Sequence, residues 1–118
     1  MVRELTFKMN PSRLTNPRTN KPLLEAPAGT RGCVFRAGCE WHSALMALPP
    51  DKRICTLGWR EVKVSEVRLT IIDRVTERDL ELQVVPSWRT PEGAEAGLLE
   101  EYGDLFGRTI TVIYFELL

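Results

Sequence analysis

Apolar and polar residues alternate along residues 60–72, and this alternation predicts one long strand. The alternation shifts its phase by one position at residues 65–66, in the middle of the stretch. Such a shift indicates a β-bulge or a corner, which is common where a small sheet curls into a barrel. Residues 109–117 are the predicted partner strand, and their nearly continuous apolar sequence favours a central position in the sheet.

Shorter stretches predict three further strands. Residues 3–9 alternate between apolar and polar positions, and residues 53–57 lead through Gly58 into the long strand as a tight hairpin. A short strand is predicted at residues 33–35, between two glycines. Residues 10–32 have no periodicity and contain four prolines, so they are predicted to form a long loop.

Helical spacing of apolar residues predicts a short helix over residues 39–48 and a longer one over residues 91–106. Thr90 suits the N-cap of the longer helix, and the proline that follows suits its first turn. The face expected to pack on the sheet comprises Leu98, Leu99, Tyr102, Leu105 and Phe106. Residues 80–85 fit either a helix that begins after the N-cap Thr76 or a strand.

Length and composition indicate that residues 1–118 form one globular domain of the α+β class, mainly β. A chain of this length buries a core without disulfides, and 43% hydrophobic with 27% charged residues is an ordinary composition. No apolar run has the length of a membrane helix, so we expect a cytoplasmic protein with no membrane partner. Three cysteines are too few for a disulfide scaffold, and reduced thiols are expected.

The charge of the chain is divided unevenly. The net charge is zero, but residues 1–38 carry seven lysines and arginines against two acids. The remainder is correspondingly acidic, which permits a basic binding face opposite an acidic one. A neutral total argues against tight non-specific binding to DNA.

Four segments of the second half resemble an ASCH domain. They are residues 62–69, Val-Lys-Val-Ser-Glu-Val-Arg-Leu, residues 76–79, Thr-Glu-Arg-Asp, residues 98–103, which end in Tyr-Gly, and residues 111–117, Thr-Val-Ile-Tyr-Phe-Glu-Leu. The resemblance covers roughly residues 55–118. It implies the fold of the PUA-like superfamily, a small β-barrel of about five or six strands with two or more short helices.

The same resemblance implies a binding cleft in the amino-terminal half. ASCH domains share a Gly-x-Lys-x-x-Glu-x-Arg signature, and residues 29–36, Gly-Thr-Arg-Gly-Cys-Val-Phe-Arg, are the best match here. The match keeps Gly29 and Arg36, and it has Arg31 and Val34 where the family has lysine and an acid. The implied ligand is RNA or a modified nucleotide, bound between the basic loop and the barrel. The residues expected to bind it are Lys21, Gly29, Arg31, Arg36 and Trp41.

Two alternative functions remain open at this point. Some members of the family resemble amidohydrolases that act on acylated cytidine, and Glu77 would then be the catalytic carboxylate. Arginine in place of the lysine argues against catalysis, because its pKa is too high for a general base. A protein-interaction module is the other alternative, in which an acidic helix face meets a basic partner through Glu95, Glu100, Glu101 and Asp104.

No metal or cofactor is predicted. Cys33, Cys39, His42 and Cys55 are the residues that suit zinc, but they lack the Cys-x-x-Cys spacing that makes the sharp turn of a zinc site. Buried free cysteines are therefore the favoured interpretation. The sequence also lacks the glycine-rich phosphate loop and the dinucleotide-binding fingerprint.

Overall fold

The computed structural model describes residues 5–6, 11–103 and 108–118. Its described strands form one sheet in the order β1-β3-β4-β5-β2, with β1 parallel to β3 and all other neighbours antiparallel. The strands are β1 (Leu5–Thr6), β2 (Arg31–Ala37), β3 (Ile54–Leu57), β4 (Arg60–Ile71) and β5 (Thr109–Leu117). The predicted central position of β5 is confirmed, since it lies between β4 and β2.

The phase shift in β4 is a β-bulge, as the sequence predicts. Val64 pairs with Phe115 and Glu66 pairs with Tyr114, so Ser65 is the extra residue between two consecutive positions of β5. The bulge restores alternation on the far side of the kink, because one inserted residue returns the apolar side chains to their face. The hairpin between β3 and β4 is also confirmed, with Gly58 at a positive φ of 61° in the turn.

The described residues form three α-helices beside the sheet: α1 (Glu40–Met46), α2 (Glu77–Glu81) and α3 (Pro91–Tyr102). Short 3₁₀ segments occupy Pro11–Arg13, Leu23–Glu25, Pro50–Lys52, Ile72–Arg74 and Pro86–Trp88. The helix predicted over residues 91–106 begins at the expected cap, where Thr90 accepts a hydrogen bond from the N–H of Gly93. It ends at Gly103, which takes the left-handed conformation with a φ of 74°.

Two apolar clusters make up the described core. The first lies under α1 and the long loop, and it joins Leu14, Leu23 and Leu45 to β3, β4 and β5. The second lies under α2 and α3, and it joins Leu80, Trp88 and Leu98 to β2 and β5. Both helical layers are therefore held by burial of apolar side chains against the sheet.

The face of α3 that packs on the sheet differs from the prediction. Leu98 is buried as expected, but Leu99 is 42% exposed, and the second buried position is Ala94. The small residue Ala94 therefore packs in the core together with Leu98, and the prediction for Leu99 was wrong. Leu105 and Phe106 lie outside the described residues, and so do residues 3–4 and 7–9 of the predicted first strand.

The described sheet is open. β1 and β2 form its two edges and do not pair with each other within the described residues, so closure into the predicted barrel stays a prediction. The free edge of β2 is covered by residues 82–84, since the N–H of Cys33 donates to Leu82 and the N–H of Val84 donates to the carbonyl of Cys33. Residues 80–85 thus combine both predicted forms, the last turn of α2 and a strand-like segment. Within the described part of the chain, no helix has the length and apolar character needed to span a membrane.

Candidate functional site

A polar cavity of about 340 Å³ opens where the bulge of β4 meets the end of the sheet. β2 and β5 contribute its floor, β4 contributes the bulge, and α2 forms one wall. We call it the bulge cavity, and its lining residues are Arg31, Ser65, Glu66, Arg78, Leu82, Tyr114 and Glu116.

The strand register brings these residues together. Arg31 pairs with Glu116 across β2 and β5, and Tyr114 pairs with Glu66 across β5 and β4. Because paired residues in a sheet point to the same side, their side chains share one face. The bulge at Ser65 interrupts the regular sheet at this point, and bulges commonly redirect side chains beside binding sites.

Two arginines in the bulge cavity form no ion pair with any described residue. Arg31 and Arg78 are both exposed, and no carboxylate of the described residues lies within ion-pairing distance of either. The arginines that do form described ion pairs are Arg36, Arg68 and Arg108. The positive charge of Arg31 and Arg78 is therefore available to a ligand.

Arg78 is held in place by an aromatic ring. Its guanidinium carbon lies 4.4 Å from the centroid of the Tyr114 ring, within the range of a cation–π interaction. Tyr114 is itself fixed, because its ring is buried and its hydroxyl donates a hydrogen bond to Oδ1 of Asp79. The cation that faces the cavity is thus positioned before any ligand arrives.

Asp79 lies beneath the cavity and accepts a hydrogen bond from Tyr114, one of the lining residues. It is fully buried, and its Oδ2 accepts hydrogen bonds from the Thr76 N–H at 2.8 Å and from the Arg68 guanidinium. Thr76 in turn accepts from the N–H of Asp79, which completes a capping box at the start of α2. Burial raises the pKa of the Asp79 carboxyl, but the hydrogen bonds from Thr76, Tyr114 and Arg68 outweigh it and hold the pKa below its usual range.

The groups under the cavity are not nucleophiles. Burial and the hydrogen bond to Asp79 raise the pKa of the Tyr114 hydroxyl. Burial, with the nearby Asp79 charge, also raises the pKa of the Cys33 thiol well above its usual value. Both groups are therefore protonated at neutral pH.

Of the residues predicted to bind a ligand, Arg31 alone lines the bulge cavity. Arg36 is buried, bonds Glu101 at 3.0 Å, and lies 5.6 Å from the ring of Trp41. The structure thus joins Arg36 and Trp41 to each other, but away from Arg31.

The other predicted positions lie elsewhere on the surface. Lys21 is exposed in the long loop, and Gly29 is exposed with a φ of 88°, its N–H donating to the carbonyl of Leu117. Glu77, the candidate catalytic carboxylate, is exposed in the first turn of α2 and does not line the cavity. Glu77 is next to Arg78 in the sequence, but only Arg78 lines the cavity.

The acidic helix face is partly engaged within the chain. Glu95 accepts from Arg108 at 2.8 Å and Glu101 accepts from Arg36, while Glu100 is exposed. Asp104 lies outside the described residues. A basic partner would therefore have to compete with two intramolecular ion pairs.

The cysteines are not gathered into a metal site. Cys33 and Cys55 are buried in different apolar clusters, and Cys39 is exposed. No group of three or more histidines, cysteines, aspartates or glutamates within residues 11–103 and 108–118 is arranged to hold a metal ion.

A second, larger cavity of about 770 Å³ lies between α3 and the 3₁₀ segment Pro86–Trp88. Its helical wall is formed by the small residues Gly93, Ala96 and Gly97 together with two glutamates, and Arg13 and Leu14 lie on the opposite side. Gly97 packs directly on the indole of Trp88, since a β-carbon there would lie 1.9 Å from Nε1. We call it the helix groove.

The fold and the bulge cavity together define a small α+β protein with a polar, arginine-lined pocket at the bulge of a central strand. No protein-family model, curated protein or solved structure matches the chain.

Sequence reasoning identified Arg31 and missed the other six residues of the cavity, among them Arg78, Tyr114 and Glu116. Arg78 follows Glu77 inside the capping-box segment, and its position depends on the ring of Tyr114, which is distant in the sequence. Tyr114 and Glu116 are two residues apart in an otherwise apolar strand. Polar groups at that spacing share a face, and this was the signal that could have indicated a polar pocket on β5.

Proposed function

We propose that the protein binds a nucleotide, either free or as an unpaired residue of RNA, in the bulge cavity. The observation that carries the proposal is the pair Arg31 and Arg78, two exposed arginines without a described ion pair that line one concave surface. Guanidinium groups bind phosphate through two parallel hydrogen bonds, which makes a pair of them well suited to a phosphate group.

Preorganisation supports the same function. The ring of Tyr114 and the buried Asp79 hold Arg78 in its position, so less conformational entropy is lost when a ligand binds.

The size and polarity of the cavity favour a single nucleotide. Small-molecule sites measure about 300 to 1,000 Å³, and the bulge cavity lies at the lower end of this range. Its wall also carries acceptors, Glu66 and Glu116, which suit the hydroxyl and amine donors of a nucleoside. A double helix presents phosphates on a convex surface, which a cavity of this size does not accommodate.

The proposal rests on the cavity and is independent of the resemblance to ASCH domains. Both that resemblance and the PUA-like barrel stay predictions. Binding is favoured over covalent catalysis because burial raises the pKa of Tyr114 and of the adjacent Cys33, so both groups stay protonated at neutral pH.

The test is a binding titration with the four ribonucleoside 5′-monophosphates and with short single-stranded RNA at low salt. Isothermal titration calorimetry on the wild-type protein should show binding that weakens as salt rises. Each of Arg31→Ala and Arg78→Ala removes a charge-assisted hydrogen bond to phosphate and should raise the Kd about ten-fold or more.

Arg74→Ala is the matched control, because Arg74 is an exposed arginine outside the cavity with no described ion pair. It removes the same charge and should change the Kd less than two-fold or so. The proposal fails if no nucleotide or RNA binds, or if all three substitutions weaken binding equally, which would indicate a diffuse electrostatic attraction.

A further inference from the structure

We infer that Glu116 is a specificity-determining residue, which makes the bulge cavity select ligands that carry hydrogen-bond donors beside their phosphate. The inference rests on the proposed function and goes beyond it, since it states which part of a nucleotide the site reads. It is based on Glu116 because this carboxylate lines the cavity and forms no ion pair with a described residue.

Glu116 is half-buried in the second-to-last position of β5, and it lines the cavity. Its cross-strand neighbours are Arg31 on β2 and Lys63 on β4. No hydrogen bond or ion pair to its carboxylate is formed by residues 11–103 or 108–118. Glu66, the other carboxylate of the cavity, contacts Arg68 at 3.4 Å.

The carboxylate of Glu116 can accept a hydrogen bond from a ligand. It is half-buried beside the cations Arg31 and Lys63, and neither of them forms an ion pair with it. The negative charge also repels the phosphate that Arg31 and Arg78 attract, since all three residues line the same cavity. A plain anion therefore binds less well here than two arginines alone would allow.

A nucleotide reverses this balance. Its phosphate meets the arginines, and its ribose hydroxyls or base amines supply donors to the carboxylate, with charge-assisted hydrogen bonds that are about twice as strong as neutral ones. A site with a negative group facing the ligand rejects analogues that leave that group without a partner. Glu116 thus penalises bare phosphate and rewards a nucleoside monophosphate.

The test compares guanosine 5′-monophosphate, which is rich in donors, with inorganic phosphate. Glu116→Gln keeps the shape of the side chain and removes its charge. It should weaken nucleotide binding about five-fold and strengthen the binding of inorganic phosphate about three-fold, so that the ratio of the two Kd values changes by about fifteen-fold. Glu61→Gln on β4 is the control, because Glu61 is exposed and does not line the cavity; the ratio should stay within two-fold or so.

Two analogues locate the donor. Inosine 5′-monophosphate lacks the 2-amino group, and 2′-deoxyguanosine 5′-monophosphate lacks one ribose hydroxyl. The analogue whose binding no longer responds to Glu116→Gln lacks the donor that Glu116 reads. If every analogue keeps the full response, the assignment to these nucleoside donors is overturned.

The outcomes separate this inference from the proposed function. If the nucleotide binds and depends on Arg78, but Glu116→Gln strengthens the nucleotide and phosphate alike, Glu116 is only a repulsive neighbour and the inference fails while the proposed function stands. If neither guanosine monophosphate nor any other nucleotide binds the wild-type protein, the proposed function itself fails.

Discussion

Replacing Asp79 by alanine should destabilise the protein strongly. The carboxylate is fully buried, and it accepts hydrogen bonds from the Thr76 N–H, the Tyr114 hydroxyl and the Arg68 guanidinium. Alanine removes all three acceptor interactions at once. It leaves the buried hydroxyl of Tyr114 without its acceptor and the N-terminus of α2 without half of its capping box.

The magnitude follows from these contacts. Loss of a helix cap costs about 1 kcal/mol. A buried hydrogen bond to a charged group contributes about 1.5–3 kcal/mol, which applies to Tyr114. The share of Arg68 is smaller, about 1 kcal/mol or less, because its side chain is 37% exposed and water screens the pair. We therefore expect a loss of about 4 kcal/mol in the free energy of unfolding, which is a large fraction of the stability of an ordinary domain.

The assay is urea denaturation followed by tryptophan fluorescence. A loss of this size lowers the midpoint by about 2 M at an ordinary urea dependence for a small domain. Asp51→Ala is the control, since Asp51 is exposed in a 3₁₀ segment and forms no ion pair with a described residue. It should change stability by about 0.5 kcal/mol or less. A loss below about 1 kcal/mol for Asp79→Ala would refute the role of the buried network.

Three more predictions concern stability and reactivity. Hydrogen bonds keep the pKa of Asp79 below its value in the unfolded chain, so the unfolded state binds more protons in acid. Urea midpoints should therefore fall as the pH drops below about 4. Asp79→Asn should make the midpoint depend less on pH, and an unchanged dependence would contradict this reasoning. Gly97→Ala should lower the free energy of unfolding by about 1–3 kcal/mol, because the added β-carbon would collide with the buried Trp88 indole. Thermal denaturation measures this loss, and an unchanged Tm would contradict the packing. Cys39 is exposed and should react with a thiol reagent in the native protein, whereas the buried Cys33 and Cys55 should react only on unfolding. Burial also raises the pKa of Cys55 to about 12, which lowers its reactivity further. Rapid labelling of all three cysteines in the native protein would show that the core is open to the reagent.

The sheet was largely predictable from the sequence. The phase shift at residues 65–66 located the bulge, and the apolar run at residues 109–117 identified the central strand. These features are local, because the period of two and its interruption are visible in the chain itself. β2 is longer than predicted, since it spans Arg31–Ala37 and not only residues 33–35. Gly32 interrupts the apolar pattern, so the sequence did not indicate the start of the strand.

The site was less predictable because its contacts are distant in sequence. Arg36 is of a residue type that commonly binds ligands. Its partner Glu101 is 65 positions away in the sequence, so the ion pair forms only in the folded chain. Arg78 owes its position to Tyr114, which belongs to another element. Residue type indicates that an arginine can bind phosphate, whereas the fold decides which arginines are already paired.

A nuclear magnetic resonance titration with guanosine 5′-monophosphate tests the central claim most directly. In ¹H–¹⁵N spectra of the labelled protein, the largest amide shifts should cluster at the ends of β2 and β5, the bulge and α2, around Arg31, Ser65, Arg78 and Glu116. Shifts centred instead on the helix groove around Gly97, or scattered over the long loop near Lys21, would contradict binding in the bulge cavity.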